Sequence, residues 1–451
     1  MGLVFELFCG QLISLLSLPR FKIKQTLKKL IFSLLMIVSG AHGQAQNLPK
    51  QLHDAHASFI EPALTLRRFK HRDLMPLIEK IRTNPRFEVT LAGKSLEERD
   101  IYLIKAGTGK SKVLLWSQMH GDEATATMAI MDIFRFLAAT NDGFDALRTS
   151  ILANTTLYFV PMLNPDGAER WQRRTAHDID MNRDALRLQA PESVILKGLQ
   201  QSLKPEFGFN LHDQSTRYSA GHTPNLATIS FLATAYDYAR SMNAVRERST
   251  KLIVGMNRAL QSLIPNQVGR YSDEHEPRAF GDNIQKWGTS LVLIESGGYR
   301  NDPEKQYIRK LNFVAILTGL KAIADGSYTK EKTSEYNNIP QNERFHFDLL
   351  IRNATMSVKG KKYTVDIGIN QDEVHTDSTA STFTIKSKVE DLGDLSVFYG
   401  IEELDATGLE VVTEAGRAKA IKLGEVGTFG LRKDKETHYT IQNGRVKAAN
   451  K

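Results

Sequence analysis

Cysteine is nearly absent from this sequence: the single one among 451 residues is Cys9, so no disulfide can form within the chain. Apolar stretches long enough to cross a bilayer are missing too. The most sustained, residues 30–38, falls well short of the roughly 20 residues that a spanning helix needs. Internal repeats and low-complexity segments are lacking, which excludes solenoid and fibrous architectures. A dominant charge sign is lacking as well. The formal net charge is +8, but the first 44 residues, with Arg20, Lys22, Lys24, Lys28 and Lys29 against Glu6, hold half of it and leave about +4. So small a surplus argues against a nucleic-acid partner and suggests only mild attraction to anionic envelope polymers. What is present is an ordinary globular composition, 41% hydrophobic and 24% charged, on enough chain for one large domain and a smaller one.

The N-terminus has the layout of a secretory signal peptide over residues 1–45. Basic residues from Lys22 to Lys29 precede the apolar run, and small residues follow, with cleavage expected after Gly43 or Ala45. A looser apolar stretch, residues 4–18, precedes this unit. It leaves an uncleaved anchor as the alternative, and a translation start placed too far upstream would account for it. Because Cys9 lies in the leader, the mature chain has no cysteine, which is compatible with the periplasm or the outside medium. The expectation is a secreted or periplasmic protein with no stable membrane span after leader cleavage.

Beyond a polar arm at residues 47–72, helical spacing is expected at residues 73–81, and residues 87–91 and 100–104 look like a strand pair. The apolar run Val113-Leu114-Leu115-Trp116 reads as a buried strand. It leads through Met119-His120-Gly121-Asp122-Glu123 into residues 124–137, whose apolar positions recur at helical spacing. A further strand, residues 156–162, is closed by the turn Asn164-Pro165-Asp166-Gly167. An Arg-rich loop follows, from Arg170 to Asp184. Residues 206–211 form a strand expected to deliver His212 at its carboxyl end, where open α/β sheets place their chemistry. Strand character at 227–233 and helical character at 235–245 and 250–263 come next. The buried strand 290–294 ends in Glu295, and residues 302–324 read as a closing helix.

Alternation of this kind predicts an α/β fold: a mostly parallel mixed sheet with helices on both faces, spanning residues 46–330. After a polar linker at 330–342 the texture turns to short strands at 345–351, 362–369 and 381–385. Residues 343–451 are therefore expected to form a small C-terminal β domain. Its segments 348–355 and 365–369 look like the small β subdomain that precedes the barrel in amidohydrolases. They carry no paired-histidine metal motif, so no activity is implied, and a folding or docking accessory is expected.

Alone, His120-x-x-Glu123 is a weak signal, since a surface His beside a helix-start Glu is commonplace. Together with Asn164-Pro165-Asp166-Gly167, Arg173 ahead of Asn182-Arg183, His212 at a strand end and Glu295 after an apolar strand, it forms an ordered set. That set resembles the zinc metallocarboxypeptidases typified by carboxypeptidase A, over roughly residues 91–324. The resemblance implies one Zn2+ per chain held by His120, Glu123 and His212, with Glu295 as the catalytic carboxylate. It further implies Arg173 as the group that polarises the scissile carbonyl, with Asn182 and Arg183 holding the terminal carboxylate of a peptide or protein substrate. Arg174 could exchange roles with Arg173. The substrate-covering tyrosine of the family is Tyr271 or Tyr299, with Tyr271 favoured. Gly281 and Asp282 fall near the specificity position, where an exposed Asp282 would suit a basic terminal residue. Asp122 and Asp213 are either ligand-orienting groups or solvated loop carboxylates.

The residue types suit the chemistry. Two imidazoles and a carboxylate leave zinc an open position for water. A neighbouring Glu can then take that water's proton, and a fixed guanidinium can stabilise the oxyanion. Two other readings remain: a zinc amidase acting on peptidoglycan stem peptides or other non-standard amides, and a binding protein that kept the fold without turnover.

Overall fold

Eight strands build the main sheet, and a run of four parallel strands lies at its centre. In chain order the strands of the N-terminal part are β1 (Phe87–Lys94), β2 (Asp100–Ala106), β3 (Ser111–Ser117), β4 (Thr155–Val160), β5 (Phe207–Asp213), β6 (Ser219–Ala220), β7 (Ile229–Leu232), β8 (Val268–Arg270) and β9 (Ser290–Ser296). All but β6 join in the order β1-β2-β4-β3-β5-β9-β7-β8. The run β4-β3-β5-β9 is parallel, β7 and β8 pair parallel, and the β1-β2, β2-β4 and β7-β9 pairings are antiparallel. This is a computed structural model, and it describes residues 48–377 and 382–448. The leader expected over residues 1–45, with Cys9, lies outside the described residues, as does Ser381. Among those described, no helix is long and apolar enough to cross a membrane.

Helices cover both faces, which is why β3, β5 and β9 read as continuous apolar runs and not as alternating ones. The helices that matter are α1 (His71–Arg82), α2 (Thr125–Ala138), α3 (Asp145–Asn154), α4 (Pro165–Glu169), α5 (Pro191–Leu203), α6 (Ala244–Gln261), α7 (Phe280–Lys286) and α8 (Gln306–Ala324). On one face Leu114, Trp116 and Leu291 pack with Leu196 of α5 and with Phe280 and Ile284 of α7. On the other, Phe134 of α2 meets Phe159 of β4 edge-on, and α8 comes so near β5 that a Cβ on Gly319 would stand 3.1 Å from the Phe209 ring. The polar arm is pinned here as well: Phe59 packs on Phe136 and Phe313, and Arg309 donates to the carbonyls of Glu61 and Leu64.

Two expected elements differ. Residues 235–243 are irregular, and α6 starts only at Ala244, where Asn243 caps it by accepting the Arg246 backbone N–H; Arg240, with φ of 53°, cannot continue a helix. The 330–342 connection is packed. Its Tyr336 is buried and its hydroxyl accepts the Ala233 backbone N–H, while β10 (Asn342–Glu343) pairs with β6.

The C-terminal region forms a separate sheet of β11 (His346–Val358), β12 (Lys361–His375), β13 (Phe383–Gly393), β14 (Tyr399–Asp405), β15 (Glu410–Val412), β16 (Phe429–Lys433), β17 (Glu436–Gln442) and β18 (Arg445–Ala448). Their order is β13-β12-β11-β15-β16-β17-β18, with β14 also on β11. Leu349, Ile351, Ile367, Val389, Phe429 and Ile441 form its own core.

Candidate metal centre

The strand-to-helix turn after β3 is built by close backbone contact. Gln118, with φ of 48°, turns the chain out of the strand. Its side chain donates to the Gly121 carbonyl and accepts from Thr127. At Gly121 a Cβ would stand 2.0 Å from the Gly167 carbonyl carbon, so only glycine lets this turn touch the Asn164-Pro165-Asp166-Gly167 turn. Asn164 completes the joint by accepting from the Gly167 N–H at 2.9 Å and donating to the carbonyls of Met119 and Arg173. Thus the turn motif fixes the geometry of the His120 loop and of the Arg-rich loop together.

His120, Glu123 and His212 meet at one point, with one donor atom from each lying within 4.8 Å of the others. Glu123 stands between the imidazoles, its Oε1 at 2.8 Å from His120 Nδ1 and its Oε2 at 2.6 Å from His212 Nδ1. His120 Nε2 lies 3.1 Å from Asp180 Oδ1. A proton held on Nε2 by that carboxylate leaves the Nδ1 lone pair free for a metal. Burial pulls the His120 imidazolium down, but the charge of Glu123 and the hydrogen bond to Asp180 outweigh it and hold its pKa up at about 9. Burial likewise opposes ionisation of Glu123, and the two imidazoles overcome it, so its carboxyl lies well below the usual range. Burial keeps His212 neutral-leaning.

Glu295 shares a rung with His212 in the parallel β5-β9 pairing. It is buried, and among the described residues neither its Oε2 nor His212 Nε2 has a hydrogen-bond partner. Burial, then the charges of Glu123 and Asp213, push its carboxyl well above the ordinary value. Two imidazoles, one ionised carboxylate and an adjoining carboxyl with a free oxygen form a donor set that fits zinc with an accessible coordination position.

Of the two neighbouring arginines, Arg173 reaches the cluster, with Nη1 at 3.0 Å from His120 Nδ1 and 3.3 Å from Glu123 Oε1. Arg174 turns to the Asp178 carbonyl. Asp180 grips the same Arg173 through Oδ2, which accepts from Nε at 3.1 Å and Nη2 at 3.0 Å. Asp180 was not singled out by the sequence reading; its only signal there is its place two residues ahead of Asn182. Asn182 and Arg183 follow on the same turn. Asn182 Oδ1 accepts the Phe280 N–H, and Arg183, exposed, pairs with Glu276. Tyr271 follows β8. Burial and the charge of Glu295 raise its phenol, whereas Tyr299 stacks on Tyr307. Asp213 accepts from Thr125 and Lys305, which marks it as bonded and not solvated.

Asp282 departs from expectation. It is buried, accepts the Glu276 N–H at 2.8 Å and lies 3.0 Å from His275 Nδ1. Burial lifts its carboxyl to about 6. A side chain tied down in the first turn of α7 presents no exposed charge to a terminal residue, so the expected basic preference loses its ground.

Comparison with known proteins finds similarity to carboxypeptidases. Residues 76–223 match the zinc carboxypeptidase family. Human carboxypeptidase D is 27% identical over 165 residues, covering 33% of this chain and 11% of that protein. Carboxypeptidase 2 of Trichophyton tonsurans is 26% identical over 151 residues, covering 33% of this chain and 27% of its own. The chain thus spans only a minor part of the length of these relatives. A metallo-carboxypeptidase structure from Burkholderia cenocepacia is similar over 57% of this chain and 70% of its own, at 17% identity and a TM-score of 0.48. Glu295 and Tyr271 lie beyond the matched span, whereas His120, Glu123, Asp180 and His212 lie within it. Over residues 76–223 the chain is thus similar to the zinc carboxypeptidase family.

Proposed function

We propose that this protein is an exported zinc-dependent metallocarboxypeptidase that hydrolyses C-terminal peptide bonds. The observation that carries the reading is the convergence of His120, Glu123 and His212 within 4.8 Å, with Glu295 on the same rung as His212. His120, Glu123 and His212 would hold the ion. A bound zinc supplies a Lewis acid and a water acidified toward neutral pKa. Glu295 takes the water's proton through its free Oε2 and later delivers it to the leaving nitrogen. Arg173, held rigid by Asp180, stabilises the negative charge that builds on the scissile carbonyl oxygen. Asp180 also fixes the His120 ring. Asn182 and Arg183 bind the substrate's terminal carboxylate, for which a guanidinium offers a bidentate partner.

The test incubates the purified protein with a C-terminal peptide library and with a muropeptide, with and without chelator, beside the Glu295→Gln variant. Chelator-sensitive loss of single terminal residues is expected, with the variant retaining one zinc and losing roughly 10²–10⁴-fold in rate. Cleavage confined to the muropeptide would replace this reading by the amidase. No turnover, or a variant as active as the parent, would overturn it.

A further inference from the structure

A cleft of about 980 Å³ opens between the main sheet and the C-terminal sheet, and one end of it reaches Glu123. Its floor carries Asp122 and Asp213, and its far wall carries Asp348, Asp372, Glu402 and Glu403 of the C-terminal sheet. Arg173, Asn182 and Arg183 do not line it. The cleft therefore adjoins the metal centre at Glu123 and does not include the turn that bears Arg183. Resting on the carboxypeptidase reading above, we propose that this cleft binds the upstream part of the substrate chain and selects chains that bear cationic side chains or amines there.

Charge carries the selectivity. Nine carboxylates face the cleft against five cations, and four of those cations are already engaged. Arg217 pairs with Asp348 and Asp372 at 2.9 Å each, and Arg67 pairs with Glu373. Arg300 donates to the carbonyls of Gly400 and Ile401, and Lys305 is held by Asp213 and the Ser296 carbonyl. The pairs to Asp348, Asp372 and Glu373, with the Arg300 bonds, also tie the far wall to the N-terminal arm and to the loops that follow β5 and β9. That fixes its distance from the metal centre. On the floor, Asp122 Oδ1 and Asp213 Oδ1 are buried with no hydrogen-bond partner among the described residues, and Glu402 stands exposed on the wall. A volume of this size accommodates several residues, and a concave acidic surface with low-dielectric walls concentrates its field on a cation entering it.

The test uses peptides that share one C-terminal dipeptide and carry four upstream Lys, Ala or Glu residues, beside the blocked dipeptide alone. Dissociation constants are read by calorimetry on the zinc-loaded Glu295→Gln protein, and kcat/KM on the wild type. The Lys-extended peptide is expected to bind roughly tenfold more tightly than the Glu-extended one, with the gap narrowing as salt rises. Glu402→Lys is expected to cut the Lys advantage roughly three- to tenfold and Glu402→Gln to cut it less, both on an exposed position that leaves the fold intact. Equal binding of Lys- and Glu-extended peptides at low salt, or a Lys advantage untouched by Glu402→Lys, would overturn the proposal. Failure of the wild type to cut any of the peptides would instead overturn the carboxypeptidase reading, and the binding comparison would still decide what the cleft prefers.

Discussion

Asp180 shows how much a single carboxylate can organise: one oxygen faces His120 Nε2 and the other accepts two N–H groups of Arg173. Removing its charge frees a ring and a guanidinium together. Asp180→Asn is expected to weaken zinc binding roughly 10- to 100-fold in a chelator competition and to lower kcat as well. If affinity stays unchanged, Asp180 does not orient the ligand. At this scale the sequence was legible where a residue ends an apolar strand, as with His212 and Glu295, because nothing apolar justifies their burial. Asp180 was illegible because it sits in a charged loop, where carboxylates are ordinary. Asp282 was misjudged for the complementary reason: sequence does not reveal that the backbone of Glu276 and the ring of His275 enclose it.

At the scale of elements, the long β12-β13 hairpin reaches the Arg-rich loop. His375 Nε2 lies 3.0 Å from the Trp171 carbonyl, and Trp171, two residues before Arg173, holds a left-handed backbone with φ of 48°. Such a conformation costs about 1–3 kcal/mol and persists only where surroundings enforce it. Here Arg68 and Arg67 stack over its indole, Arg68 also stacks on Phe383, and Glu373 pairs with both arginines. His375→Ala is expected to lower kcat roughly three- to tenfold, the worth of about one hydrogen bond, while zinc content stays at the wild-type level. An unchanged kcat would show that the loop holds itself. The arm is fastened more deeply. Asp132 and Arg309 are both fully buried and paired, and Asp132 also bonds His56 and the Glu61 N–H. Asp132→Ala strands a buried guanidinium and is expected to cost about 3–5 kcal/mol in denaturant unfolding. Strand and helix existence was readable from apolar spacing, but these long-range fastenings pair residues some seventy to two hundred or more positions apart and leave no local pattern.

For the whole molecule, acid stability has an identifiable contributor. Glu97, in the turn between β1 and β2, is held down to about 2 by hydrogen bonds from Arg170 and Arg99. A depressed carboxylate adds stability that is complete above its ordinary pKa and vanishes as pH falls through the folded value. The melting-temperature gap between wild type and Glu97→Gln should therefore be constant above about pH 5 and close toward pH 2; a gap independent of pH would count against the assignment. The two-sheet layout was foreseen in outline, because periodicity changes after residue 340. The packed connection between the sheets was not, because its polar composition resembles a tether. One feature sets what this architecture can regulate. His212 and Glu295 are neighbours across hydrogen-bonded strands about 4.8 Å apart, so no loop excursion separates them. Under the proposed reading, on-off control would act through the peripheral pieces, the arginine loop and the Tyr271 segment, and leave this pair of side chains together.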